Sequence, residues 1–147
     1  MYGDPPEKLV SIYDGLVNRW IRRGRTVDEQ VDGLQAIFDA VWEVIEPLLG
    51  SVASLAMIRR TTVLAGRQDN RVRDAVGTAR GLDVARLRLG LERESAESAR
   101  QTLVVLADQL FSVLYALLGP TLLPILREVE TELAARDGPP EGDEEKR

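Results

Sequence analysis

The chain contains no cysteine and no histidine in its 147 residues. Without cysteine it can form neither a disulfide framework nor a zinc–thiolate site, and it has no thiol nucleophile. Without histidine it lacks the commonest transition-metal ligand and the side chain best suited to proton transfer near neutral pH. The two lysines, Lys8 and Lys146, lie near the chain ends, where lysine chemistry is unattractive. The sequence predicts a protein that is not an enzyme and that holds no metal or cofactor.

An unbroken apolar run of membrane-spanning length is also missing. Residues 103–126 carry one formal charge, Asp108, but Gly119-Pro120 divides them. A membrane helix needs about 20 consecutive apolar residues, and proline disfavours helix in the residue before it. We therefore predict two helices joined at this break rather than a membrane span. Charged residues already occur within the first eight positions, so no secretory leader is expected and the cytoplasm is the default location.

Helical spacing of apolar residues is present along nearly the whole chain. Thr26 and Glu29 have the spacing of a capping box, which predicts the start of the second helix. Gly24 and Gly50 are typical of helix ends. The predicted helices cover residues 4–24, 26–49, 51–67, 95–118 and 121–136.

The segment between residues 69 and 93 is different, because glycines and short alternating runs interrupt it. We favour a loop followed by a short helix, with Asp83 as the cap of residues 84–93. The alternative is a small β-hairpin. The predicted fold is thus an all-α bundle of about five long helices with a short irregular segment at 69–93. We expect residues 1–137 to form a single domain and the acidic residues 138–147 to be a disordered tail.

The last two helices are predicted to form an antiparallel hairpin over residues 95–136, since only Gly119-Pro120 joins them. Leu110 and Leu117 would lie on its buried seam. The flank of the hairpin would need further cover, either from a second copy related by a two-fold axis or from the N-terminal helices of the same chain. Position 107 is alanine and is left out of the candidate set. The candidate dimer interface consists of Leu103, Phe111, Leu114 and Leu118.

Asp108 marks a narrow polar stripe on an otherwise apolar helix. Two interpretations are open: the stripe faces solvent, or Asp108 is buried and pairs with an arginine that fixes the register of an interface.

Charge is distributed very unevenly along the chain, whose net charge is −5. Residues 26–50 contain six acidic and no basic side chains, whereas residues 51–93 contain nine arginines and four acids. We interpret these segments as complementary surfaces, within one chain or between two. The alternative is an anion site, because the arginine fork suits phosphate. Its candidate residues are Arg59, Arg60, Arg67, Arg71 and Arg73.

Nucleic acid is the obvious polyanion for the arginine-rich residues 59–93, but the composition opposes it. The pI near 4.9 lacks a basic footprint, and aromatic residues make up only 5%, too few for a base-stacking surface. The function that the sequence favours is a non-catalytic interaction or regulatory module, with a signalling role, acting as a homodimer and possessing at most another protein as partner. A helical sensor domain that binds a small apolar or anionic ligand between helices is the alternative. Nucleic-acid binding is the less favoured interpretation, and a membrane partner is not expected.

Overall fold

The computed structural model describes residues 2–77 and 80–136, which form a helical bundle. A π-helical turn, Asn18–Arg22, extends the first helix, so five elements are long and α4 is short. The predicted all-α bundle of about five long helices is confirmed. The predicted tail 138–147 and the domain boundary at 137 lie outside the described residues. The helices are α1 (Glu7–Val17), α2 (Val27–Leu49), α3 (Ser51–Gln68), α4 (Val84–Leu91), α5 (Ala96–Leu118) and α6 (Leu122–Ala134).

The start of α2 is fixed by the capping box that the sequence predicts. The Thr26 hydroxyl accepts a hydrogen bond from the Glu29 backbone N–H at 3.1 Å, and the Glu29 carboxylate accepts one from the Arg25 N–H at 2.7 Å. Backbone donors that the helix itself leaves without partners are thereby satisfied. A cap of this kind stabilises a helix by about 1 kcal/mol.

Helix α2 forms the centre of the bundle, where it packs against α3, α5, α6 and the π-helical turn. Its apolar face, with Val31, Leu34, Val41 and Ile45, is buried. Covering a side chain of this size contributes about 1.5–3 kcal/mol. Gly33 lies on the side of the turn: a Cβ there would be 1.5 Å from the Trp20 carbonyl oxygen, so only glycine permits this close approach.

The connection at Gly119-Pro120 differs from the prediction. Gly119–Thr121 forms a 3-10 turn, and α6 does not pack along α5. Helix α5 packs on α3 and α2, whereas α6 packs on α2 and α1. The predicted antiparallel hairpin over residues 95–136 is therefore wrong. A glycine–proline break ends one helix but does not set the angle of the next, and here α2 and α1 cover the apolar face of α6.

By length and composition alone, the helical stretch Ala96–Ala134 could cross a membrane. Its most apolar window of 18 residues has a mean hydropathy of 1.8, and 44% of that window is buried inside the bundle. Core helices have the same composition, so this property does not separate the two environments.

Residues 69–93 form a loop and a short helix, as the favoured prediction has it. Asp83 caps α4 by accepting a hydrogen bond from the Arg86 backbone N–H at 3.1 Å. Of the alternative β-hairpin, the described part of this segment shows one antiparallel bridge, between Val76 and Leu82.

Candidate functional site

A cluster of polar side chains around Arg71 fastens the loop to α5. Asp69 accepts hydrogen bonds from the Arg71 guanidinium on both carboxylate oxygens, each at 2.9 Å, and from the Thr102 hydroxyl at 2.6 Å. Arg71 also donates to Glu94 at 2.7 Å and to the Ser98 hydroxyl. These five residues, the Arg71 cluster, place the end of α3 beside the start of α5.

The charges of the Arg71 cluster stabilise one another. The hydrogen bonds from the Arg71 side chain are the largest cause that lowers the pKa of Asp69 to about 2, and they outweigh the burial that opposes ionisation. The Asp69 carboxylate in turn raises the pKa of Arg71. Hydrogen bonds from Ser98 and then Arg71 lower the pKa of Glu94. The guanidinium of Arg71 is thus committed within the chain.

The acidic side of α2 is a second anchor for the same loop. The Asp32 carboxylate, by its hydrogen bond, is the largest cause that raises the pKa of Arg88. The contacts agree with the interpretation that the two oppositely charged segments are complementary within one chain. Arg88 lies against Asp28, at 3.0 Å, and Asp32, while Arg80 lies against Asp39, at 3.4 Å, and Glu43, at 3.6 Å.

The five arginines predicted as an anion site do not converge on one point. Arg71 belongs to the cluster above, and Arg59 and Arg60 are exposed on α3. Arg67 and Arg73 line a groove of about 410 Å³ together with Gly66 and Asn70. Of the predicted set, this pair alone borders a common groove.

The predicted dimer interface is covered by the chain itself. Leu103 and Leu114 are 0% and 1% exposed, so neither has surface left for a second copy. Phe111 stacks on Tyr13 of α1, with ring centroids 4.5 Å apart, and Leu118 is partly buried against the core. The structure therefore corrects the assignment of these four residues to a dimer interface. Apolar periodicity showed that the face needs cover, and neighbouring helices of the same chain provide it.

Asp108 faces solvent, as the first of the two interpretations has it. It accepts a hydrogen bond from the Tyr13 hydroxyl, and its contacts within residues 2–77 and 80–136 include no arginine. Burial and then this hydrogen bond raise the pKa of Tyr13. The polar stripe of α5 thus helps to align α1.

One end of the bundle carries no charge and exposes apolar side chains. It is built from residues 47–58 and 109–126, the two longest stretches of the sequence without a charged residue. We call it the uncharged end. Leu117, predicted on a buried seam, is 57% exposed there. Among the described residues seven large apolar side chains are exposed, and five of them belong to this end or adjoin it: Tyr2, Leu48, Leu49, Val52 and Leu117.

The Arg71 cluster explains why these stretches meet. The Asp69–Thr102 hydrogen bond sets the end of α3 beside the start of α5, and the two helices pack along each other. At 1.5 Å per residue, Val52 lies about 25 Å from Asp69, level with Gly119 of α5. Tyr2 packs there as well, since a Cβ on Gly119 would be 2.5 Å from its ring. The absence of charge in both stretches is the sequence signal that could have located this surface.

The interior of the bundle offers little room for a ligand. The apolar cavity between α1, α2, α5 and α6, lined by Leu16, Val41 and Leu110 among others, has a volume of about 20 Å³. That is little more than the space of one water molecule.

Metal chemistry and relationships to known proteins were also considered for the whole fold. The described ranges contain no group of three or more acidic side chains placed to hold a metal ion. The chain matches no family model, no curated protein and no solved structure. Its surfaces and internal contacts are therefore the basis for assigning a function.

Proposed function

We propose that the protein is a non-catalytic helical interaction and regulatory module that acts as a homodimer through its uncharged end. The observation that carries the proposal is the exposure of Leu48, Val52 and Leu117, which are 65%, 83% and 57% exposed. A contiguous apolar surface of this kind on a folded domain marks an interaction site.

A second copy of the chain is the partner that the uncharged end fits best. In a two-fold dimer the same patch meets itself, so a charge near the axis faces the same charge. Residues 47–58 and 109–126 contain none, and their self-contact meets no such repulsion. The next turn of α3 carries Arg59 and Arg60, which would oppose each other if the contact were centred there.

The residue types of the chain support a non-catalytic role. The sequence has no histidine or cysteine, and the Arg71 cluster joins its charges to one another instead of presenting them to a cleft. Its low pKa at Asp69 is that of a structural ion pair, because a general base working near neutral pH needs a pKa close to 7.

Light scattering after size exclusion tests the homodimer directly. We expect the wild-type chain to elute as a dimer at tens of micromolar, and Leu48→Glu to elute as a folded monomer. Leu89→Glu is the matched control, because Leu89 is also 65% exposed but lies on α4. It should leave the dimer intact. A wild-type chain that is strictly monomeric, or equal effects of the two variants, would contradict the proposal.

A sensor for a small anionic ligand is the second candidate, and the groove between Arg67 and Arg73 favours it. The apolar version of that candidate has less support, given a core cavity of about 20 Å³. Calorimetry with inorganic pyrophosphate should then show binding that Arg67→Gln weakens. Polynucleotide affinity is expected to be negligible at physiological salt, and tight binding with a steep salt dependence would instead favour the nucleic-acid interpretation.

A further inference from the structure

A second pocket lies on the flank of the bundle, between α2 and the turn that precedes α4. It has a volume of about 470 Å³. Its floor is aromatic and aliphatic, and its rim is charged. The lining includes Phe38, Asp39, Trp42, Ile58, Arg80 and Asp83. We call it the Trp42 pocket.

The Trp42 pocket already contains one cation, the side chain of Arg80. Its guanidinium lies over the Trp42 ring, 5.5 Å from the ring centroid, and contacts Asp39 at 3.4 Å and Glu43 at 3.6 Å. An aromatic face combined with carboxylates is the arrangement that recognises a guanidinium, through cation–π attraction and charge-assisted hydrogen bonds. Asp39 and Glu43 are one helical turn apart, so both can reach the same planar group.

Arg80 is held less tightly than the other internal arginines. Charge-assisted N–H···O bonds are usually about 2.7–2.9 Å long. Arg71 makes such bonds to Asp69 and Glu94, whereas both contacts of Arg80 are longer than 3.3 Å and its side chain is 47% exposed. An occupant held in this way can be displaced.

The charge of the pocket also favours a cation as ligand. Asp39, Glu43 and Asp83 place three carboxylates in or beside it. Arg80 balances one of them, and the Arg86 contact to Asp83 is long, at 3.7 Å. An excess of negative charge therefore remains beside an open volume.

We propose that the Trp42 pocket binds an arginine side chain presented by a partner protein, and that Arg80 is a tethered occupant that this side chain displaces. The incoming guanidinium stacks on Trp42 and pairs with Asp39 and Glu43, in the place that Arg80 holds in the free protein. The proposal concerns a different surface from the uncharged end and does not depend on the homodimer.

The test uses N-acetyl-arginine methylamide as the probe, with N-acetyl-citrulline methylamide as its uncharged analogue of the same shape. Titrations of the ¹⁵N-labelled full chain would follow the two indole signals. The Trp42 signal should shift and that of the buried Trp20 should not. We expect the citrulline compound to bind at least about tenfold more weakly, since it lacks the charge that the carboxylates recognise. Equal binding of the two compounds by the wild-type chain overturns the proposal, whichever variants fold.

Variants then test the role of Arg80. Arg80→Ala removes the competing occupant and should tighten binding of the arginine probe by about tenfold or more, and Asp39→Asn in that background should reverse the gain. Arg86→Ala is the matched control, because it removes the same charge from the same segment outside the Trp42 ring, and it should leave the affinity unchanged. No gain in Arg80→Ala relative to Arg86→Ala overturns the role of Arg80 as occupant. Tighter binding of free arginine than of the capped probe would overturn the assignment to a protein partner.

Discussion

The two ends of the bundle treat their surface in opposite ways. Where α3 ends and α5 begins, carboxylates meet arginines of the same chain, as Asp69 meets Arg71 at 2.9 Å. At the uncharged end no charge is present, and Leu48 and Val52 are left exposed. The first end is closed by the chain itself, and we infer that the second is closed by a partner.

The difference teaches where free energy for association is available. Exposed ion pairs contribute about 0–1 kcal/mol each, so the charged end serves orientation more than stability. Covering a leucine side chain fully contributes about 1.5–3 kcal/mol. Dimerisation through the uncharged end should therefore depend strongly on apolar contact and little on salt.

The largest effect is expected from Leu114→Glu, which places a carboxylate in the core next to the uncharged end. An unpaired buried charge costs several kcal/mol, a large part of the free energy of unfolding of a domain, so circular dichroism should show loss of helicity. Leu117→Glu is the matched control, three residues further along α5 but 57% exposed. It should keep its helicity and lose association. Unfolding of Leu117→Glu would show that this end is core and would break the comparison.

A smaller effect sharpens the other side of the comparison. Asp69→Asn should lower the free energy of unfolding at pH 7 by about 1–2 kcal/mol, because it removes the ionised partner of Arg71. The pKa of Asp69 is about 2 in the folded chain against an ordinary 3.8. The stabilisation is therefore complete above pH 3.8 and is lost as the pH falls through 2. Urea unfolding of wild type and variant should differ at pH 7 and converge near pH 2, whereas a difference that persists at pH 2 would place the stabilisation elsewhere.

The smallest effect is expected from Arg88→Gln. Its partners on α2, Asp28 and Asp32, are 83% and 58% exposed, so the loss should stay below about 1 kcal/mol. Thermal unfolding at low salt should reveal the loss, and about 1 M NaCl should abolish it by screening. A large loss that salt does not change would mean that Arg88 acts through packing rather than charge.

Local chemistry was predictable from the sequence, and long-range arrangement was not. The cap at Thr26 and the start of α4 at Asp83 depend on residues three positions apart, which a sequence displays directly. The periodicity around Leu103 and Leu114 shows that a face must be covered, but it does not say by which helix. The exposure of Leu48 and Val52 depends on how α2, α3 and α5 end relative to one another, which only the packing determines.

The contact of Arg80 with Trp42 shows the same limit, because it joins residues far apart in the chain. Segregated charge indicated that the arginine-rich segment has an acidic counterpart, and this was confirmed for Arg88 and Arg80. It did not indicate which arginine would lie over an aromatic ring. Pairing between particular side chains is set by the path of the loop, and that path is fixed by the Arg71 cluster.

Hydrogen exchange at low and high protein concentration tests the central claim most directly. If the uncharged end is the dimer interface, peptides covering residues 47–58 and 109–126 should gain protection as the concentration rises from below to above the dissociation constant. Peptides covering residues 84–93, which include the equally exposed Leu89, should exchange at the same rate throughout. Concentration-dependent protection at 84–93, or none at either stretch of the uncharged end, would contradict the account.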